Sequence, residues 1–153
     1  ITVEYTGDVV GYDVASVTIS ALKGVLDQVL DQQVNFVNAP FIAKERGIKV
    51  IEIKSSRIID FASTITIRVK TKEKENIVEG ALFGKKDLRV VRINEFLIDA
   101  VPDGYLLILY NVRYVSTISY YFYAIHIFSR FVMISRNQPN HFKPYLGMYL
   151  KSV

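Results

Sequence analysis

Four basic residues lie within eight positions of one another and carry the side chains best suited to chemistry in this sequence: Lys85, Lys86, Arg89 and Arg92. The two lysines follow Gly84, so their amines can converge with nearby backbone N–H groups on one anion. Arg89 opens the next predicted strand and can add a bidentate fork for phosphate or carboxylate. In a regular strand Arg92 would point to the opposite sheet face, because the two arginines are an odd number of residues apart. The sequence therefore predicts an anion site formed by Lys85, Lys86 and Arg89, with Arg92 as a weaker candidate.

The same basic cluster has a simpler interpretation as a solvated sheet edge, where lysines keep other strands from pairing. Both interpretations stay open on the sequence. A surface that binds nucleic acid needs a broader basic stripe with exposed aromatic side chains among the charges. Here the aromatic and the basic residues lie in different segments, so we expect no binding to nucleic acid.

Other kinds of site find little support in the sequence. The chain has no cysteine, which excludes disulfides and thiolate metal sites. The two histidines, His126 and His141, lie near the C-terminus without a cluster of His, Asp and Glu that could bind zinc. The glycines are scattered, and neither GxGxxG nor a P-loop is present. We therefore predict no catalytic residues, no metal and no cofactor bound by this chain.

The composition of the 153 residues changes sharply along the chain. Half of the residues are hydrophobic, 22% are charged and the net charge is +4, a mixture that folds into one domain or two small ones. Residues 114–153 contain four bases and no acid, and they hold ten of the nineteen Tyr and Phe. The chain begins at Ile1 without a signal peptide, so we expect a fragment or processed form of a cytoplasmic protein.

Hydrophobic periodicity predicts an α+β fold, a small mixed sheet with one long and one short helix. The predicted order is a strand over 1–6, a helix from Asp13 to Val29, a short helix from Pro40 to Gly47, and strands over 48–54, 63–71, 77–84, 88–94 and 105–111. This order predicts a first domain over 1–100 and a second segment over 103–153, with an irregular tail from about residue 114.

The segment VNFVNAPFIAKERGIKV (34–50) combines two asparagines, a proline and a compact run of charges. Asn38 can accept a hydrogen bond from the free N–H groups at the start of the short helix, and Pro40 suits its first turn. The charges at 44–46 are expected on the outer face of that helix. The segment is interpreted mainly as a structural turn, and Asn35 and Asn38 stay open as ligand contacts.

Several segments resemble the allosteric substrate-binding (intervening) domain of the long form of D-3-phosphoglycerate dehydrogenase, namely ITVEYTGDV, LKGVL, VNFVNAPFIAKERGI, GALFG and LRVVRIN. The similarity runs from residue 1 to about residue 111. The resemblance implies a regulatory domain followed by an ACT domain, in a homo-oligomeric enzyme that oxidises 3-phosphoglycerate with NAD in serine synthesis. The catalytic domain would be encoded upstream or on another chain.

The resemblance also implies an anion site near the junction with the ACT domain, where phosphorylated substrate can bind. Arg89 matches a basic position associated with that role. Val101 stands where another member of the family can have a basic partner, and that departure weakens the expected site.

The ACT-like part departs from the family after its first strand. The serine-binding loop there normally reads Asn-x-Asp-x-Pro-Gly, whereas this chain reads NVRYVSTIS and only Asn111 fits. The break in composition at Arg113 coincides with this departure. A frame error or truncated gene would produce both changes, as would divergence, and we favour the former. No serine-binding residue is therefore assigned.

The function predicted from the sequence is a non-catalytic C-terminal regulatory fragment of a phosphoglycerate dehydrogenase, which binds a phosphorylated small molecule or another anion. Two alternatives remain. The related domain of an L-serine dehydratase would need cysteines for an iron–sulfur cluster on a neighbouring chain. A membrane-surface protein would use the apolar run over 120–134, which is too short for a comfortable membrane span.

Overall fold

A six-stranded sheet forms the centre of the molecule. The computed structural model describes residues 1–58, 60–84, 86–103, 106–111 and 130–135. The described elements are β1 (Thr2–Gly7), a 3-10 turn (Asp8–Gly11), α1 (Ala15–Asp27), α2 (Ala39–Glu45), β2 (Ile51–Ser55), β3 (Ser63–Lys70), β4 (Glu75–Phe83), β5 (Asp87–Ile93), β6 (Phe96–Ala100), β7 (Leu106–Asn111) and β8 (Arg130–Ser135).

The strand order in the large sheet is β2-β1-β3-β4-β5-β6. β1 and β2 pair in parallel, and α1 and α2 lie between them in the chain, as a parallel connection requires. The other pairs are antiparallel. β3, β4, β5 and β6 are joined in sequence by short connections, whereas β1 and β3 are far apart in the chain. The small mixed sheet with one long and one short helix, predicted from the sequence, is confirmed.

The two helices cover one face of this sheet, which we call the helix face. Val3 and Tyr5 of β1 are fully buried there, and they lie opposite Ile67 and Ile65 of β3. This alternation follows from the two-residue period of a strand. The polar residues between them, such as Glu4, point to the other side, which we call the polar face.

α1 packs through Leu22 and Leu26, which are buried in one apolar cluster with residues of α2. The helix ends at Asp27, before the predicted end at Val29. Val29 is 69% exposed because the chain has already left the helix. The predicted end of the helix was therefore wrong.

β6 is a strand that the sequence analysis did not predict. Asn94 and Glu95 form a tight turn between β5 and β6, and Asn94 adopts a positive φ of 52°. Asparagine tolerates this left-handed conformation, which hairpin turns require. The side chain of Asn94 also accepts the N–H of Ile77 at 2.7 Å, which ties the turn to β4.

β7 and β8 form a separate two-stranded parallel sheet, and β7 confirms the strand predicted at 105–111. The division into domains over 1–100 and 103–153 stays a prediction. Arg113, His126, His141 and most of the apolar run over 120–134 lie outside the described residues.

Candidate functional site

The turn between β4 and β5 carries the predicted basic cluster. Gly84 turns the chain there with a φ of 60°, a conformation that suits glycine. Lys86 follows in the turn and is exposed. Lys85, the other predicted lysine, lies outside the described residues. The described part of this turn therefore offers one lysine amine beside the first residues of β5.

Arg89 lies on the polar face, opposite Ala81 of β4. Its Nη1 donates a hydrogen bond to Oδ1 of Asp99 at 2.8 Å, which closes an ion pair between β5 and β6. Its guanidinium carbon lies 5.9 Å from the centre of the Phe83 ring, within the range of a cation–π contact. The Phe83 ring in turn packs at a tilt against Phe61, with 5.1 Å between the ring centres. The arginine is thus held between an aromatic shelf and a carboxylate.

Arg92 points to the same face as Arg89, contrary to the sequence prediction. Arg89 lies opposite Ala81, and Arg92 lies opposite Glu79, two residues along the same strand. A β-bulge between them shifts the register by one residue and restores the common orientation. Arg92 Nη2 lies 2.6 Å from Oε2 of Glu79. The prediction failed because it assumed a regular strand.

Arginine–carboxylate pairs recur across the polar face in the described residues. Glu4 and Arg68 lie 3.9 Å apart on β1 and β3, Glu79 pairs with Arg92, and Arg89 pairs with Asp99. The carboxylate partners differ in exposure: the side chain of Glu79 is 19% exposed, that of Glu4 33% and that of Asp99 63%. Asp99 is the most exposed of the three carboxylates, so its pair with Arg89 is the one most open to water. The three arginine side chains are similarly exposed, between 29% and 34%.

Val101, just after β6, is half-buried and supplies no charge to this region. The expected basic partner of Arg89 is thus replaced by an apolar residue. Asp87 and Asp99 further balance the charges of Lys86 and Arg89. An anion at this place would meet a locally neutral surface until one carboxylate moves away.

Asn35 and Asn38 form a reciprocal cap in front of α2. Oδ1 of Asn35 accepts the N–H of Asn38 at 2.9 Å, and Oδ1 of Asn38 accepts the N–H of Asn35 at 2.7 Å. This is the hydrogen-bond pattern of a capping box, with asparagine at both positions. Oδ1 of Asn35 also accepts the N–H of Val37, and Nδ2 of Asn38 donates to the carbonyl of Gln33. These contacts support the structural interpretation of the two side chains.

The apolar neighbours of the cap strengthen it. Val34, directly before Asn35, and Ala39, directly after Asn38, are both buried in one core cluster. Such a pair fixes the angle at which the chain enters a helix. The charges at 44–46 are exposed, as predicted. The segment 34–50 therefore locks α2 onto α1.

A groove of about 460 Å³ lies among α1, α2 and β2. Its wall is mainly apolar, with Lys44 and Glu52 among the lining residues. Thr18, also in the wall, bonds to both Tyr5 Oη at 2.7 Å and Glu52 Oε1 at 2.5 Å. The carboxylate of Glu52 disfavours an anion there, so the β4–β5 region is the better candidate for the predicted ligand.

Two other kinds of site find no support in the described part of the chain. No group of three or more His, Cys, Asp and Glu side chains there could hold a metal ion. No helix among the described residues is long and apolar enough to cross a membrane.

Comparison with known proteins places the fold in a family. The family model of the D-3-phosphoglycerate dehydrogenase intervening domain, which describes the sequences of that family, matches residues 1–94. The chain belongs to this family. It is 35% identical over 108 residues to the D-3-phosphoglycerate dehydrogenase of Synechocystis sp. and 32% identical over 106 residues to that of Bacillus subtilis. These matches cover 70% and 69% of this chain and 20% of each relative.

The chain therefore spans about a fifth of the length of these curated relatives. A third relative, the D-3-phosphoglycerate dehydrogenase of Archaeoglobus fulgidus, is 32% identical over 92 residues, which are 60% of this chain and 17% of the relative. The resemblance drawn from the sequence is confirmed. The matches favour the dehydrogenase family over the L-serine dehydratase and membrane-surface alternatives.

Proposed function

We propose that this domain is a regulatory module of a D-3-phosphoglycerate dehydrogenase and binds a phosphorylated hydroxy acid or another small anion beside Arg89. Lys86, and Lys85 next to it, would add positive charge to the same ligand. The domain performs no catalysis itself. The whole enzyme would act in serine biosynthesis in the cytoplasm, as a homo-oligomer, with NAD bound by its catalytic domain.

The exposed partner of Arg89 is the observation that carries this proposal. Asp99 holds the guanidinium in place, yet its own side chain is 63% exposed. An incoming phosphate or carboxylate can replace Asp99 because both offer the paired oxygens that match a guanidinium fork. The Phe83 ring, 5.9 Å below the guanidinium carbon, keeps the arginine oriented during the exchange.

The expected affinity is weak. One arginine and one or two lysines in a partly exposed setting each contribute about 1 kcal/mol, and less in salt. The ligand must also displace Asp99 from Arg89, which lowers the net binding free energy. Val101 contributes no charge to attract the ligand. The dissociation constant is therefore expected between roughly millimolar and high micromolar values.

A calorimetric titration at low salt with inorganic phosphate and with 3-phosphoglycerate tests the site. Arg89→Ala should weaken binding about fivefold, since it removes one charge-assisted contact worth about 1 kcal/mol. Asp99→Asn should tighten binding severalfold, because the competing carboxylate loses its charge. Arg68→Gln is the matched control, an arginine of the same face in another ion pair, and should leave the affinity unchanged. Equal affinities in all four proteins would overturn the site.

The absence of catalysis has a separate test. The purified chain should not reduce NAD when 3-phosphoglycerate is added, whether or not the anion binds. Measurable formation of NADH that depends on the chain would overturn the regulatory assignment. Loss of anion binding in the titration would leave that assignment standing, so the two failures can be told apart.

A further inference from the structure

The strand β2 presents an edge to which another strand can add. Among the described residues, β1 is its only neighbouring strand, and four of its five residues are exposed. The N–H of Ile51 donates to the carbonyl of Ile1 at 2.9 Å, so the backbone groups of odd-numbered residues face β1. The backbone groups of Glu52 and Lys54 therefore point outward, because successive residues alternate in direction.

The charges of this edge are complementary to themselves. When two copies of β2 run antiparallel with Ile53 opposite Ile53, Glu52 of each copy lies opposite Lys54 of the other. The register of the two strands can shift only by two residues if the outward backbone groups of Glu52 and Lys54 are to remain in the pairing. Such a shift places Glu52 opposite Glu52 of the other copy, or Lys54 opposite Lys54. Like charges directly opposite are unfavourable in a sheet. Charge thus selects one register out of the neighbouring ones.

The apolar residues of β2 support the same arrangement. Ile53 is 44% exposed and Ile51 is 37% exposed, both on the polar face at the sheet edge. In the register centred on Ile53, the two Ile53 side chains form a pair without mutual backbone hydrogen bonds, the kind whose side chains approach most closely. The pairing would bury surface that the single chain leaves in water.

We propose that the β2 edge is a dimerisation surface, on which β2 pairs antiparallel with β2 of a second copy in the register centred on Ile53. A two-fold axis then passes through this position, as in any interface that uses the same patch on both partners. A second copy of the chain is the expected partner of this edge, because β2 itself carries both the acid and the base of each ion pair between the copies. The two six-stranded sheets become continuous across the axis.

Disulfide cross-linking of the full 153-residue chain tests the register directly, because the chain has no cysteine of its own. In Ile53→Cys the two facing Cα atoms lie about 4.5 Å apart, within reach of a disulfide. In the control Ser56→Cys, the two cysteines lie six residues apart along the strands, about 20 Å. Mild oxidation should produce a covalent dimer of Ile53→Cys and leave Ser56→Cys monomeric. Equal cross-linking of both variants, or none of Ile53→Cys, overturns the proposal.

Exchange of the two charges provides a second test, with sedimentation velocity as the measurement. Glu52→Lys and Lys54→Glu each turn both facing pairs into like charges, so each variant alone should dimerise about tenfold or more weakly than the unchanged chain. An equimolar mixture of the two variants restores opposite charges in every pair and should recover the dimer. Lys54→Glu leaves the hydrogen bond from Thr18 to Glu52 in place, and within the chain it removes only the exposed 4.0 Å ion pair between Lys54 and Glu52. Dimers that persist in both separate variants, or a mixture that stays monomeric, would show that this edge is not the interface.

Discussion

The two faces of the large sheet differ in what holds their side chains in place. On the helix face, Val3 and Tyr5 are fully buried under α1 and the neighbouring turn. On the polar face, strands of the same sheet present arginines paired with carboxylates, from Glu4 and Arg68 to Arg89 and Asp99. Burial of apolar surface stabilises a fold, whereas exposed ion pairs contribute little to it. The helix face around β1 therefore contributes most to stability. On the polar face Thr64, Thr66 and Ala81 are also buried, and its arginine–carboxylate pairs are the part that can serve a ligand.

The largest expected effect on the helix face comes from Leu26→Ala. Leu26 is 1% exposed in the cluster between α1 and α2, so truncation leaves a cavity. We expect the free energy of unfolding to fall by about 2–5 kcal/mol, measured by urea denaturation. Val29→Ala is the matched control, because Val29 is 69% exposed and should change stability by less than about 0.5 kcal/mol. Similar losses in both variants would contradict the assigned core.

Tyr5→Phe should lower the free energy of unfolding by about 1–3 kcal/mol, because it removes the hydroxyl that bonds to Thr18 and to the carbonyl of Val14.

Burial raises the pKa of Tyr5 above its ordinary value of 10.0, and the charge of Glu52 acts in the same direction. A raised folded pKa gives stability that is complete below pH about 10 and is lost as the pH rises above it, since the unfolded tyrosine ionises first.

Denaturation curves between pH 8 and about pH 11 check this linkage. The unchanged chain should lose stability more steeply above pH about 10 than Tyr5→Phe does. Parallel curves for the two proteins would mean that Tyr5 titrates alike in the folded and unfolded chain.

Asn35→Ala should lower the free energy of unfolding by about 1 kcal/mol, because it removes the acceptor for the N–H groups of Val37 and Asn38. Val37→Ala is the control, since the Val37 side chain is 89% exposed. Amide hydrogen exchange at the start of α2 should accelerate only in the first variant. If the two variants exchange alike, the reciprocal cap does not stabilise this helix.

Arg68→Gln sharpens the contrast between the faces, because its effect should be the smallest. The pair with Glu4 spans 3.9 Å, and both side chains are about a third exposed. We expect a loss of less than about 0.5 kcal/mol, and less still in high salt. A loss comparable to that of Leu26→Ala would mean that the polar face carries stability as well.

Sequence patterns predicted the elements whose signal is local. The alternation in β1 and β3 and the position of Pro40 in α2 identified a strand–helix–helix–strand unit and the antiparallel strands after it. The orientation of Arg92 was not predictable in this way, because a bulge depends on how two strands pair and leaves no mark in the alternation. β6 was missed because its five residues, Phe96–Ala100, form only a short run between the turn at Asn94 and Glu95 and Pro102.

The surroundings of Arg89 were predictable only in part for the same reason. Lys86 and Arg89 could be grouped from the sequence because only two residues separate them after the turn at Gly84. Asp99, the ion-pair partner of Arg89, lies on β6 and comes near through strand pairing. A carboxylate ten residues away gives no signal until the hairpin between β5 and β6 is known.

A backbone amide NMR titration with 3-phosphoglycerate at low salt tests the division between the faces most directly. We predict that the shifts concentrate at Phe83, Gly84, residues 86–89 and residues 97–99. Arg89→Ala should move saturation to a severalfold higher ligand concentration, and Asp99→Asn should move it to a lower one. Shifts that concentrate around the groove of α1, α2 and β2, or that persist unchanged in Arg89→Ala, would contradict the account.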